Sequence, residues 1–175
     1  MPVRFASFEA RVAAAMLDGL VGLTIVALFI ICGSLVVLFS SEFERVDPSD
    51  TALYTFWAIT GSSLPAVFVY MFVGFAWKGQ TLGSAVMQVM AIRSDGRPLG
   101  IGGAMARVVG LLSYPLVLGI AGIIGYAIDR GGMATAAAVG GAAVLVIAAI
   151  FWSLFDSRRR MLHDRLAGTI IIRVV

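Results

Sequence analysis

The sequence predicts an all-α polytopic membrane protein with four transmembrane helices. Three observations predict it: too little charge for a soluble domain, four apolar runs of spanning length, and basic residues gathered on one side of those runs. Of the 175 residues, 60% are hydrophobic and 13% charged, and the mean hydropathy is +0.98. A water-soluble domain carries about 25% charged residues, so the chain lacks the polar surface that water requires. The same composition excludes intrinsic disorder, collagen-like repeats and a disulfide scaffold. The lone Cys32 has no internal partner and lies inside an apolar run, where it is expected to pack as a small hydrophobe.

A hydrocarbon core about 30 Å thick needs about 20 helical residues, and the runs 12–39, 52–77, 104–128 and 133–155 meet that requirement. Asp18 alone interrupts the first. The second and third carry Pro65 and Pro115, which a membrane helix tolerates when neighbours satisfy the freed carbonyl. The fourth holds no charge before Asp156. The first run is too long, and its start too weakly basic, for a cleaved signal peptide. Residues 1–175 therefore read as a single membrane domain.

Orientation follows from the charges left between spans. Arg4, Arg11, Lys78, Arg93, Arg97, Arg107, Arg158, Arg159, Arg160, Arg165 and Arg173 lie on the side of the N-terminus, the 78–103 connection and the 156–175 tail; only Arg45 and Arg130 lie opposite. Short outer connections give the positive-inside rule its full weight, so the expectation is a multi-pass protein of the inner (plasma) membrane with both termini cytoplasmic. The outer loop 40–51 is acidic, with Glu42, Glu44, Asp47 and Asp50. Trp57, Trp77 and Trp152 fit interfacial anchors. Topology accounts for the basic residues and no stacking aromatics accompany them, so nucleic acid is not an expected partner.

The two inward segments carry their own patterns. Residues 81–90 predict a short interfacial helix capped by Thr81, with Leu82, Val86 and Val89 on one face. Val89–Arg93 is strand-like and is followed by the turn signal Ser94-Asp95-Gly96-Arg97-Pro98. The tail ends in the β-branched run 169–175, too short to span as a helix. Pairing it with 90–93 beneath the membrane satisfies both sets of backbone groups.

Few polar residues are left in the spans. An ionised Asp18 costs about 2.5–3.5 kcal/mol even on the lenient insertion scale, so it is expected to pair, to face protein or water, or to be protonated. Arg11 lies seven residues earlier, about 10.5 Å along a regular helix, too far for a direct bond. Arg107 is therefore the expected partner of Asp18, and Asp164 that of Arg11, giving a cluster that pins the first span to the third and to the tail. His163, the only histidine, has no company of metal ligands and reads as a hydrogen-bonding residue of the tail or as a group that titrates near neutrality. Gly119, Gly122 and Gly125, with Gly140 in the fourth span, predict close helix packing, either between the third and fourth spans or as a docking face for a copy of the chain or another membrane protein. No nucleophile–base arrangement or phosphate loop is legible, so neither an enzyme nor a cofactor or metal site is expected.

Four motifs in order add a resemblance. Phe8-Glu9-Ala10-Arg11 with Asp18-Gly19, then Gly79-Gln80-Thr81-Leu82-Gly83, then Ser94-Asp95-Gly96-Arg97-Pro98-Leu99, and finally Arg159-Arg160-Met161-Leu162-His163-Asp164-Arg165-Leu166-Ala167-Gly168-Thr169 together resemble the RDD family of membrane proteins. The family takes its name from one arginine and two aspartates, which correspond here to Arg11, Asp18 and Asp164. After Gly83 this chain has Ser84-Ala85-Val86 where family members often carry basic residues. The resemblance implies an inner-membrane protein. For some members sodium–proton exchange has been proposed, and for others accessory roles beside other membrane proteins. The expected function is an accessory or scaffold subunit, embedded in the lipid bilayer, that associates with another membrane protein or with itself. The alternative is a proton-coupled cation transporter of the Na+/H+ antiport type, in which Asp18 binds protons or monovalent cations.

Overall fold

The computed structural model describes residues 4–43 and 45–174; Glu44 of the acidic loop and Val175 of the tail lie outside the described residues. Helix α1, Phe8–Ser40, starts where the Ser7 hydroxyl accepts the Ala10 N–H at 3.3 Å. At about 1.5 Å per residue it is about 50 Å long, so its ends project beyond a hydrocarbon core. The second crossing is made of α2, Asp50–Gly61, and α3, Ser63–Lys78, broken at Ser62. Pro65 has no N–H to offer the Gly61 carbonyl, so the bend sits one turn before the proline, and the Ser62 hydroxyl turns back to the Ala58 carbonyl at 2.8 Å.

The short helix α4, Leu82–Val86, strand β1, Val89–Arg93, and helix α5, Gly100–Asp129, follow. Helix α6, Met133–Phe151, ends in a 3-10 turn, Trp152–Leu154; then come α7, Leu162–Leu166, and strand β2, Thr169–Arg173. Four helical segments are long and apolar enough to cross a membrane: Phe8–Ser40, Asp50–Lys78, Gly100–Asp129 and Met133–Leu154. α1 packs on α2 and α5 on α6, while α3 bridges the two pairs through contacts to α1 and α5. Large apolar side chains such as Leu23, Leu64, Ile123 and Leu145 are exposed along these helices. A bilayer solvates such a surface and water does not.

β1 and β2 pair antiparallel from Val89↔Arg173 to Arg93↔Thr169, the pairing expected between the middle connection and the tail. Both edges of this ribbon are covered. Along β2, the Ala6 N–H donates to Ile171 at 3.0 Å and the Arg173 N–H to Arg4 at 2.9 Å; along β1, the Ala91 N–H donates to Gly79 at 2.8 Å. A two-stranded ribbon is marginal alone, so the chain segments before α1 and after α3 complete it. The N-terminal segment, the middle connection and the tail thus meet on one face of the bundle, called here the sheet side.

Two sequence expectations need correction. The helix expected over 81–90 stops at Val86, and Val89, rather than sharing an exposed face with Leu82 and Val86, is buried in β1. The Gln80 amide, donating to the Val89 carbonyl at 2.9 Å, draws that residue inward. Within the chain, Gly119 and Gly140 make no close approach between α5 and α6: an added Cβ at either meets nothing within 4 Å. The α5–α6 hairpin closes through Arg130–Gly132, where Asp129 meets the first turn of α6 by accepting the Ala134 N–H, the Thr135 N–H at 3.2 Å and the Thr135 hydroxyl at 2.6 Å. The helices are therefore tightest beside the turn. A Cβ on Gly125 would lie 2.6 Å from Thr135 Cα, whereas on Gly122 it would make an ordinary 3.8 Å contact with Val139.

Gly125→Val should therefore lower thermal stability in mild detergent by an overpacking cost of about 1–3 kcal/mol. Gly119→Val is expected to stay close to wild type in the same melt.

Candidate functional site

Asp164 is the hub of the sheet side. It sits in the first turn of α7 with no exposed surface. One carboxylate oxygen accepts from the Arg11 guanidinium of α1 and from the Met161 N–H at 3.0 Å. The other accepts from Arg107 Nη1 of α5 at 2.5 Å and faces His163 Nε2 at 3.3 Å. Arg107 Nη1 also donates to the Thr169 hydroxyl at 3.0 Å, and its guanidinium lies 4.9 Å over the Phe75 ring of α3. Arg11 gives a further hydrogen bond to the Arg159 carbonyl. One carboxylate thus ties α1, α5, α7 and, through Thr169, the start of β2.

His163 is 4% exposed, and its Nδ1 lies 2.7 Å from the Tyr114 hydroxyl. With Nε2 toward a carboxylate, the ring carries its proton there and Nδ1 accepts from the phenol. Burial, then the charges of Arg107 and Arg11, push the histidine down to about 2. A Cβ added at Gly110 would come within 3.2 Å of His163 Cβ, so a glycine lets α7 lie against α5. Where the chain leaves α6, Asp156 binds both the backbone and the side chain of Arg160, and the Arg160 hydrogen bond holds this carboxyl at about 2.

Asp18 forms a second, separate polar knot, and here the expected Arg107 partnership is corrected. Arg107 is spent on Asp164. Asp18 instead accepts the Tyr70 hydroxyl at 2.6 Å, the Thr81 hydroxyl at 2.5 Å and the Gly83 N–H at 2.9 Å. All three donors are neutral. α4 lies so close to α1 that a Cβ on Gly83 would be 2.2 Å from the Ala14 carbonyl oxygen and 2.9 Å from Asp18 Cγ. Thr81 does two tasks, capping α4 through the Ser84 N–H at 3.4 Å and binding Asp18.

A cavity of about 280 Å³ separates the two knots, lined by Arg11, Asp18, Thr81, Ser84 and Arg107 among apolar side chains of α3 and α5. Among the described residues, no group of three or more metal-ligating side chains is present. Sequence reasoning missed Tyr70, Tyr114, Thr169 and Gly83. The first two look like any aromatic in an apolar run, and only the Gly79-Gln80-Thr81-Leu82-Gly83 and tail motifs marked the others.

A four-crossing helical fold with a β-ribbon and a buried arginine–aspartate hub on one face defines a multi-pass membrane protein. The model of the RDD family matches residues 5–168, and the chain belongs to that family. No curated protein and no solved structure matches it.

Removing the hub charge strands two buried guanidiniums, whereas Asp18→Asn puts an amide among neutral donors. Asp164→Asn is expected to cost about 3–5 kcal/mol and Asp18→Asn about 1–3 kcal/mol. Thermal unfolding in detergent reads the order, and equal losses would contradict the assignment of Arg107 to Asp164.

His163 adds a pH dependence. Its folded pKa is depressed below the unfolded value of about 6.5, so the unfolded chain takes up a proton first as pH falls. Stability should be unaffected by this group above about pH 6.5 and decline below it, by up to about 1.4 kcal/mol per pH unit. Unfolding measured between pH 5 and 7.5 should show that slope in the wild type and lose it in His163→Gln.

Proposed function

We propose that this protein is an accessory or scaffold subunit of the inner (plasma) membrane, acting by association and performing no catalysis. Its sheet side faces the cytoplasm in this reading, which the distribution of basic residues supports through the positive-inside rule. One observation carries the reading. The buried ionisable side chains of the sheet side are engaged with one another or with neutral donors of the fold, and between Gly19 and Ser40 of α1, and throughout α6, the sequence offers no ionisable side chain except Cys32. An exchanger needs a polar route to both faces, and these helices offer little beyond serine and threonine.

A proton-coupled cation transporter is the second reading, and one feature favours it: Asp18 lines the cavity and, among the described residues, is hydrogen-bonded only by neutral donors. The two readings separate in vesicles reconstituted with purified protein. The accessory reading expects no cation-dependent proton flux above protein-free vesicles, together with migration in native gels of mild-detergent extracts at a size above the purified chain. Flux that is abolished in a folded Asp18→Asn variant would overturn it. Cysteines placed in the 45–49 loop should react with an impermeant reagent on intact cells; protection until the membrane is opened would reverse the orientation.

A further inference from the structure

The ribbon edge that meets the N-terminal segment carries a charge arrangement that neither functional reading uses. The Phe5↔Ile172 bridge sets this segment antiparallel to β2, with the Ala6 N–H on the Ile171 carbonyl and the Arg173 N–H on the Arg4 carbonyl. In that register Arg4 stands directly opposite Arg173. Like charges opposite each other on neighbouring strands repel and destabilise the pairing. The nearest acids along the chain are engaged elsewhere: Asp95 pairs with Arg93 at the far end of β1, and the cation acting on Glu9 is Arg159, across a separate pocket. Among the described residues, neither the Arg4 nor the Arg173 side chain has a salt-bridge or hydrogen-bond partner.

Both arginines line one pocket of about 420 Å³, which Phe5, Ser7, Gln88 and Val174 complete. Ser7 accepts the Ala10 N–H and keeps its own hydrogen to donate, while the Gln88 amide adds two N–H groups. The polar wall is therefore rich in donors, and no carboxylate belongs to it. Its place in the fold is the edge of the membrane. Strand side chains alternate, so Arg4 and Arg173 share the face of Ala6 and Ile171, which packs on Ala10 and Ala14 of α1. Leu82 and Val86 of α4 are exposed and line a groove with Leu17, Leu20 and Val21 of the spanning helix α1, so the lipid-facing surface reaches to within two residues of Gln88. Phe5 and Val174 give the pocket an exposed apolar rim.

We propose that this pocket binds the phosphate of an anionic glycerophospholipid from the leaflet on the sheet side. The two guanidiniums donate to the phosphate oxygens, Ser7 and Gln88 add uncharged donors, and the glycerol lies against Phe5 and Val174. At about 30 Å³ per small heavy-atom group, 420 Å³ holds about fourteen such groups. That is room for a phosphate and the glycerol units beside it, while the acyl chains stay in the bilayer. The anion turns a repulsive cross-strand pair into a bridge that fastens the N-terminal segment to β2. A zwitterionic head group fits less well, because its own cation is brought beside two arginines. The binding does not depend on whether the protein is an accessory subunit or a transporter.

The test uses full-length protein in an uncharged detergent and three probes: dimyristoyl phosphatidylglycerol, dimyristoyl phosphatidylcholine and glycerol phosphate. Native mass spectrometry should show one phosphatidylglycerol retained, about tenfold more strongly than phosphatidylcholine. The melting temperature should rise saturably with phosphatidylglycerol and stay unchanged with glycerol phosphate, which separates a lipid head group from a free phosphate. Arg4 and Arg173 are exposed, so Arg4→Gln with Arg173→Gln should fold. Its lipid-free melt should equal or exceed that of the wild type, since the repulsion is gone, and its preference for phosphatidylglycerol should vanish. Arg97→Gln with Arg165→Gln removes the same charge from exposed positions of the sheet side outside the pocket and should retain the preference. A short glycine extension after Val175 carries the terminal carboxylate away from Arg173, and binding should persist. Equal retention of the two lipids, equal loss in both double variants, the same stabilisation by glycerol phosphate, or binding that emerges only in the extended chain would each overturn the proposal.

Discussion

The constraint on which the rest of the structure depends is the sharing of one carboxylate, Asp164, by two arginines that come from helices far apart in sequence. In water such a cluster contributes little net stability, because desolvating the charges offsets their attraction. In a bilayer the comparison changes. Lipid is as apolar as the helix faces, so burial of leucine gives helices no reason to prefer one another. Polar contacts and close packing then decide the arrangement. Arg11 on α1 and Arg107 on α5 find their common acceptor only when α7 is seated between them, so the tail is what brings the two helical pairs together at this end.

The knot around Asp18 solves a neighbouring problem by different means. A carboxylate in a span that forms no salt bridge among the described residues needs hydrogen bonds, and Tyr70, Thr81 and the Gly83 N–H supply them. The supply depends on backbone proximity. Any side chain at 83 would collide with the Ala14 carbonyl, so the glycine is required by approach rather than by an unusual φ. Gly79 is the complementary case: at φ +67 it ends α3, and its carbonyl accepts the β1 Ala91 N–H. The two glycines that bracket the motif therefore have separate physical jobs, one at a turn and one at a contact.

Much of this was legible in the sequence, for reasons that can be named. Spans follow from length and apolarity, and the β-ribbon from two β-branched segments with no other partner for their backbones. The Arg11–Asp164 pairing was legible because Arg11 at the edge of the first span needed an acceptor and the tail offers two acids, Asp156 and Asp164, of which the tail motif marked the second. The assignment of Arg107 was not legible, since nothing in a linear sequence says which of two buried acids a buried base will reach. Tyr70 and Tyr114 were hidden for another reason. A phenol in an apolar run reads as packing until the fold shows that its hydroxyl is the donor to Asp18 or the neighbour of His163 Nδ1. The spacing of Gly119, Gly122 and Gly125 is only partly used within the chain because a three-residue period drifts around an α-helix: Gly125 beside the hairpin turn is in close approach to α6, Gly122 in ordinary contact, and Gly119 in neither.

Position along the chain adds a consequence for folding. Arg11 and Arg107 enter the membrane region early, but the acid that matches them is in a segment that follows the last span. Until α7 docks, both guanidiniums must be solvated by snorkelling toward the interface, which their long stems permit. Docking of α7 then withdraws them together, since Asp164 offers one oxygen to each. β2 follows directly after α7 and pairs with β1, so the same event closes the ribbon. Burial of the two arginines and closure of the ribbon are therefore energetically coupled: neither arginine can be buried alone at low cost, and the strand that completes the ribbon is tethered to the carboxylate that buries them both.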